Sequence, residues 1–193
     1  VMLYYYLLKY RGWRGPVVRN LSTTHVLDKV AESFGQKCYE VPVGFKYISA
    51  KMQETDAIIG GESSGGLTVK DGIYAASLLV EMMAVSGKKL SEIAEDIRKE
   101  YGEIHMEERA YRFTAEEKER IHKTLMIDQA LPEIPFEVDH ISYMDGCKVY
   151  LKNGGWVSTR FSGTEPLLRI FCEMETEHEA VMICEIFEKF LGL

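Results

Sequence analysis

The chain has 193 residues, 46% of them hydrophobic and 27% charged, which is the balance of a folded globular protein and excludes disorder. Its 30 acidic residues outnumber 23 Lys and Arg for a formal net charge of -7, so a nucleic acid is excluded as the main partner for want of a basic face. The cysteines Cys38, Cys147, Cys172 and Cys184 show no paired spacing and no apolar run reaches membrane-span length, so the expectation is buried thiols, a cytoplasmic location and no membrane partner.

Residues 1–8 lack a basic leader and a small-residue cleavage site, begin without methionine and read like the middle of a helix. The chain is therefore expected to be a piece of something longer. Residues 16–21 read as a short buried strand. Ser22, Thr23 and Thr24 offer N-cap hydroxyls to a helix that runs to about Phe34 and is ended by Gly35. A second strand is expected over 37–41. A helix follows over 44–53, with Phe45, Ile48 and Met52 on one face. Residues 56–60 form a third strand that runs into a glycine-rich loop. Asp71, read as an N-cap, opens a helix to about Val85 that is apolar almost all round and so is expected to be buried. An amphipathic helix over 90–101 turns Ile93, Ala94 and Ile97 inward. This order implies a mainly parallel sheet flanked by helices.

The second half has a different rhythm. A strand is expected over 107–113 and a charged helix over 115–125. Asp145-Gly146 and Asn153-Gly154 are hairpin signals between strand-like runs at 141–143, 147–151 and 156–158. A strand over 167–173 and a helix over 179–190 complete the chain, with Val181, Cys184, Ile186 and Phe187 available for the inner face of that helix. The expectation is an antiparallel sheet with helices on one side, and a division into residues 1–104 and 105–193.

Two loops carry the chemistry. Gly60-Gly61-Glu62-Ser63-Ser64-Gly65-Gly66 leaves the C-terminal end of a predicted strand, where ligands gather in open α/β sheets. A carboxylate that accepts and a hydroxyl that donates or accepts suit the vicinal hydroxyls of a sugar, and glycines let the backbone approach closely. The alternative is an ordinary turn whose serines cap a helix. Arg160-Phe161-Ser162-Gly163-Thr164-Glu165-Pro166 has the opposite preference: a turn in which a planar fork of donors and two hydroxyls face an anion, most simply a phosphate. Its alternative is an arginine paired with Glu165 or with an acidic neighbour across a strand turn. Together the two loops describe a phosphorylated sugar, gripped by hydroxyls at one end and by phosphate at the other.

On these residues the chain resembles the C-terminal half of the α-D-phosphohexomutases, the phosphoglucomutase and phosphomannomutase superfamily. Gly61-Glu62-Ser63-Ser64-Gly65 is similar to the sugar-recognition loop of its third domain, and the run from Arg160 to Arg169 to the phosphate-binding loop of its fourth. Val43-Gly44-Phe45-Lys46-Tyr47-Ile48 is similar to a segment bordering the active site. The family's serine loop, Thr-Ala-Ser-His-Asn-Pro-like, and its Asp-Gly-Asp-x-Asp-Arg metal loop have no counterpart here. Asp145-Gly146-Cys147 lacks the repeated aspartates and reads as a hairpin turn.

The resemblance implies an α/β/α domain with a mainly parallel mixed sheet (domain 3), followed by a smaller antiparallel-sheet-plus-helices domain (TBP-like, domain 4). It implies an intact enzyme, a magnesium-dependent phosphoprotein, that moves phosphate between hexose 1-phosphate and hexose 6-phosphate. The route is a phosphoserine and a hexose 1,6-bisphosphate intermediate. The partners implied are hexose phosphates and domains 1 and 2 of the same polypeptide. By the same resemblance Glu62 and Ser64 take ring hydroxyls; Arg160, Ser162, Gly163 (through its N–H) and Thr164 hold the non-reacting phosphate; Lys46 lies near the reacting one. Arg169 reads equally as a structural ion pair. With donor serine and metal ligands missing, the fragment is expected to be inactive alone. Two other readings stand beside this one, a non-catalytic sugar-phosphate-binding module and a phosphoglucosamine mutase fragment.

Overall fold

The alternation of short apolar runs and amphipathic segments resolves, in a computed structural model, into two compact units, Val1–Gly102 and Glu103–Leu193. The structure describes residues 1–62, 67–68 and 72–193, with the backbone alone for 67, 68, 72 and 73.

In the first unit, α1 (Met2–Lys9) leads to β1 (Val17–Asn20), α2 (Val26–Ser33), β2 (Cys38–Val41), α3 (Phe45–Thr55), β3 (Ile59–Gly61) and β4 (Leu67–Thr68), and then to α4 (Gly72–Ser86) and α5 (Leu90–Tyr101). The sheet order is β2-β1-β3-β4; β1 pairs in parallel with β2 and β3, and β4 closes the edge antiparallel to β3. All four residues of β1 are buried, as befits a central strand covered on both faces. Successive residues prove the sandwich. Val18 packs with Ile48 of α3, whereas Arg19, pointing the other way, reaches Asp28 of α2. Arg19 is 3% exposed and is held by both Asp28 oxygens (2.7 and 3.0 Å) and by Glu40 (2.5 Å), so the buried cation is paired. Those carboxylates hold its pKa above the ordinary arginine value against the opposing pull of burial.

The opening segment is helix, as its composition suggests, and Tyr4, Tyr5 and Tyr6 are all fully buried with their hydroxyls satisfied. Tyr4 donates to the Gly15 carbonyl (3.0 Å), Tyr5 to Glu100 (2.8 Å) and Tyr6 to Glu81 (2.5 Å). Helix α2 begins at Val26, later than expected. Of the three hydroxyls proposed as caps, Thr24 Oγ1 accepts from the Val26 N–H (3.1 Å), while Thr23 donates to Asn20. Of the residues read onto one face of α3, Ile48 is buried, Met52 half-buried and Phe45, the first residue of the helix, 46% exposed. One further expectation is corrected. Helix α4 is not buried all round. Leu78 and Met82 are buried, but Tyr74, Val80 and Val85 are 42%, 62% and 53% exposed, because one stripe suffices to pack against α1. The N-cap assigned to Asp71 lies outside the described residues.

The second unit comprises β5 (His105–Arg112), α6 (Ala115–His122) running on into a π-helical stretch (Lys123–Ile127), β6 (Val138–Ser142), β7 (Cys147–Leu151), β8 (Trp156–Phe161), β9 (Leu167–Met174) and α7 (Glu177–Leu191). Its five strands are antiparallel in the order β5-β9-β8-β7-β6. Alternate residues divide the sheet into two faces. Val149, Val157, Leu168, Ile170 and Cys172 pack with Ile183 and Phe187 of α7. The opposite face carries a buried polar and aromatic belt. There the Lys148 ammonium lies 4.1 Å from the Trp156 ring centre, and Trp156 Nε1 donates to Glu173 (3.2 Å). Both α6 and α7 start with a threonine capping box, Thr114 with Glu117 and Thr176 with Glu179.

The inner face of α7 is Ala180, Ile183, Cys184, Phe187 and Leu191. Of the residues expected there, Cys184 and Phe187 are fully buried, whereas Val181 is only half-buried and Ile186 packs at the margin. Cys147, Cys172 and Cys184 are buried, Cys38 is half-buried, and all four are free thiols. Among the described residues no helix is long and apolar enough to cross a membrane.

Candidate functional site

The first loop leaves the C-terminal end of β3. Gly60 is required there by packing: a Cβ would stand 2.5 Å from Ile48 Cγ2 and 2.7 Å from Met52 Sδ, so its lack of a side chain admits α3 onto the strand rather than a ligand. Glu62 follows immediately after β3 and is half-buried. Its Oε1 accepts from the Gly44 N–H (2.9 Å), which puts a carboxylate at the start of α3 where the helix dipole favours it. Lys46, two residues on, is exposed, with its ammonium 4.8 Å from the Tyr47 ring centre. The structure thus joins two of the expected groups in one neighbourhood, Glu62 and the segment carrying Lys46. Ser64, with Ser63, lies outside the described residues. A cavity of about 260 Å³ is lined by Gly60, Gly61 and Glu62 together with Thr23, Tyr4 and Leu27. Its wall is largely apolar, so the case for hydroxyl recognition rests on Glu62 and not on the cavity.

The second loop is shorter than its sequence suggests. Arg160 and Phe161 are not part of the turn. They continue β8, with Arg160 opposite Arg169 and Phe161 opposite Leu168 on β9, because the strand pattern begun at Trp156 carries on through them. The turn proper starts at Ser162, whose N–H donates to the Leu167 carbonyl (2.8 Å). Ser162 Oγ in turn accepts weakly from the Thr164 N–H (3.4 Å). Ser162 is half-buried, and Gly163 and Thr164 are exposed. A Cβ on Gly163 would meet nothing within 4 Å, so space does not demand glycine there.

The Arg160 side chain is 11% exposed, and its Nε lies 3.3 Å from Asp145 Oδ2. Arg169, directly across the ladder, is instead paired with Glu108 (2.9 Å) and Glu165 (3.2 Å). Two like charges on neighbouring strands are tolerated because each has its own carboxylates. The sequence reading of Arg169 as a structural ion pair is therefore the one the structure has. Asp145 was read as a plain hairpin residue; the structure makes it the acidic neighbour across a strand turn that the sequence offered as an alternative partner for Arg160. Among the described residues no group of three or more His, Cys, Asp or Glu is assembled into a metal site.

Comparison with known proteins defines the class. The phosphoglucomutase/phosphomannomutase α/β/α domain III matches residues 1–101, and the C-terminal domain of the same family matches residues 106–189. The chain belongs to the phosphoglucomutase/phosphomannomutase family. A phosphoglucomutase/phosphomannomutase of Thermococcus kodakarensis is 31% identical over 183 residues, 92% of this chain and 38% of that protein. A phosphoglucosamine mutase of Rubrobacter xylanophilus is 31% identical over 186 residues, again 92% of this chain and 38% of its own length. A crystal structure of a Thermus thermophilus protein described as a phosphomannomutase superposes on all of this chain and 40% of that one, with a TM-score of 0.74 and 26% identity. The chain thus spans about two fifths of the length of the relatives it matches.

Proposed function

We propose that this chain is the sugar- and phosphate-gripping part of a phosphohexomutase that interconverts hexose 1-phosphate and hexose 6-phosphate. The observation that carries the reading is the second loop. A nearly buried arginine at the end of a strand is followed at once by two hydroxyls and an exposed glycine in a tight turn. Such a set offers guanidinium, hydroxyl and backbone donors to one phosphate, with the charge already in place.

Each residue then has a separate task. Arg160, Ser162, Thr164 and the Gly163 N–H hold the phosphate that is not reacting. Glu62, fixed by the Gly44 N–H, accepts from ring hydroxyls, and Ser64 adds a second polar contact. Lys46, on the helix that Glu62 anchors, stabilises negative charge at the reacting phosphate. The exchange runs through a hexose 1,6-bisphosphate, so the same grip must serve the sugar in two orientations. A phosphate hole blind to the rest of the ligand, combined with a hydroxyl clamp of low selectivity, meets that demand.

The phosphoserine and the magnesium-binding loop are assigned to the part of the full-length protein that this chain does not span. Among the described residues no group of three or more His, Cys, Asp or Glu stands together to hold a metal. On this reading the 193-residue chain alone binds hexose phosphates without turning them over. The 31% identity to a phosphoglucosamine mutase supports a second reading of the substrate, a hexosamine phosphate.

The test is steady-state kinetics of the full-length enzyme with glucose, mannose and glucosamine phosphates. Arg160→Ala raises KM for every accepted sugar phosphate. A change confined to thermal stability would contradict the phosphate role.

A further inference from the structure

Asp145 and Gly146 form a platform beneath Arg160. They lie just before the β7–β8 ladder, whose first pair is Cys147 with Thr159, so the antiparallel register places them beside Arg160. Gly146 has φ +89°, a left-handed conformation that favours glycine. Its neighbours are closer than a side chain would allow: a Cβ would stand 2.4 Å from the Thr159 carbonyl oxygen, 2.7 Å from Arg160 Cβ and 2.9 Å from Arg160 Cα. The backbone before β7 is therefore pressed against the base of this arginine. From that contact the Asp145 carboxylate stands 3.3 Å from Arg160 Nε, an ion pair rather than a hydrogen bond, and Nε is itself shielded from solvent. The opposite arginine, Arg169, is served by different carboxylates, Glu108 and Glu165, so Asp145 is not shared with it.

We propose that Asp145 is a positioning residue for phosphate binding: its charge pairs with the Nε side of Arg160, so that the two terminal amino groups of the guanidinium serve the phosphate. The inference rests on the phosphate role proposed for Arg160. An arginine on an open strand end loses rotamer freedom when it grips a ligand. One fixed beforehand by a carboxylate at its base, with Gly146 admitting that carboxylate, loses less.

The proposal makes a prediction of sign. Asp145 is a negative charge close to an anion site, so by Coulomb's law alone its removal would tighten phosphate binding. If it acts through Arg160, its removal weakens binding. The experiment is titration of the 193-residue chain with inorganic phosphate, comparing the parent with Asp145→Asn, Asp145→Ala and Arg160→Ala. The Arg160 Nε–H signal is followed by NMR in the parent and both Asp145 variants, which reports the fold and the contact together.

The expected result is a loss of affinity of about three- to tenfold for Asp145→Ala. Asp145→Asn, which keeps an acceptor oxygen, falls in between, and the Nε–H signal shifts in both. Unchanged or tighter binding in the Asp145 variants, with Arg160→Ala still defective, overturns the positioning role alone. Unchanged binding in Arg160→Ala overturns the phosphate role of the loop, and the positioning role with it.

Discussion

Glu62 and Arg160, the charged residues of the two loops, are each held on one side by the protein, but by different kinds of group. Glu62 is held by a backbone N–H at the start of α3, whereas Arg160 is held by another side chain, Asp145. A backbone donor comes with the fold and survives any substitution that preserves the helix. A side-chain partner can be lost in one step and takes its effect with it. The first unit therefore ties its carboxylate to the integrity of α3, and the second ties its cation to one hairpin. Both arrangements settle the geometry of a charged group before a ligand arrives, which lowers the ordering cost of binding.

The largest expected effect breaks the second of these supports. Gly146→Ala places a Cβ against the Thr159 carbonyl and Arg160 in a left-handed backbone. It should cost about 2–5 kcal/mol, the sum of positive-φ strain and overpacking. Chemical denaturation should show the loss in the second unit, and wild-type stability would remove the platform from the account. Glu62→Gln probes the first support and should be milder. Glutamine retains an acceptor for the Gly44 N–H, so stability should fall by no more than about 1 kcal/mol, while kcat/KM of the full-length enzyme drops through weaker hydroxyl recognition. Unchanged kcat/KM would leave Glu62 a purely structural anchor.

The smallest effect at neutral pH lies away from both loops, in α1. Burial pushes the Tyr5 and Tyr6 hydroxyls up to about 12 from the usual 10. The folded state favours the neutral phenol, so this contribution is complete below pH 10 and is lost as pH rises from 10 towards 12. Thermal stability should fall over that window, and Tyr6→Phe, which cannot ionise, should show a shallower fall. An identical slope in the variant would contradict the assignment. Because no tyrosine of α1 belongs to either loop, this measurement separates the stability of the first unit from the behaviour of its site.

Much of the fold was legible because it is local. The Asp145-Gly146 and Asn153-Gly154 turns and the cap hydroxyl of Thr24 each state their structure within a few residues. β4 was not legible, being two residues long and defined only by its pairing with β3. The exposed face of α4 was misread because composition records apolarity, not how many neighbours a helix has. At the site, the residue types were readable and their partners were not. Nothing within the run from Arg160 to Pro166 tells that its arginine lies in the strand, or that its carboxylate comes from Asp145 rather than Glu165. Those facts depend on the register of strands separated by a hairpin, and register is a tertiary property.

The central claim is that the Arg160 loop binds phosphate. Isothermal titration of the 193-residue chain with inorganic phosphate and with glucose 6-phosphate, alongside its Arg160→Ala variant, tests it most directly. The account predicts that Arg160→Ala weakens both ligands by about 10- to 100-fold, the worth of a charge-assisted contact. Equal affinity in the variant and the parent would contradict it.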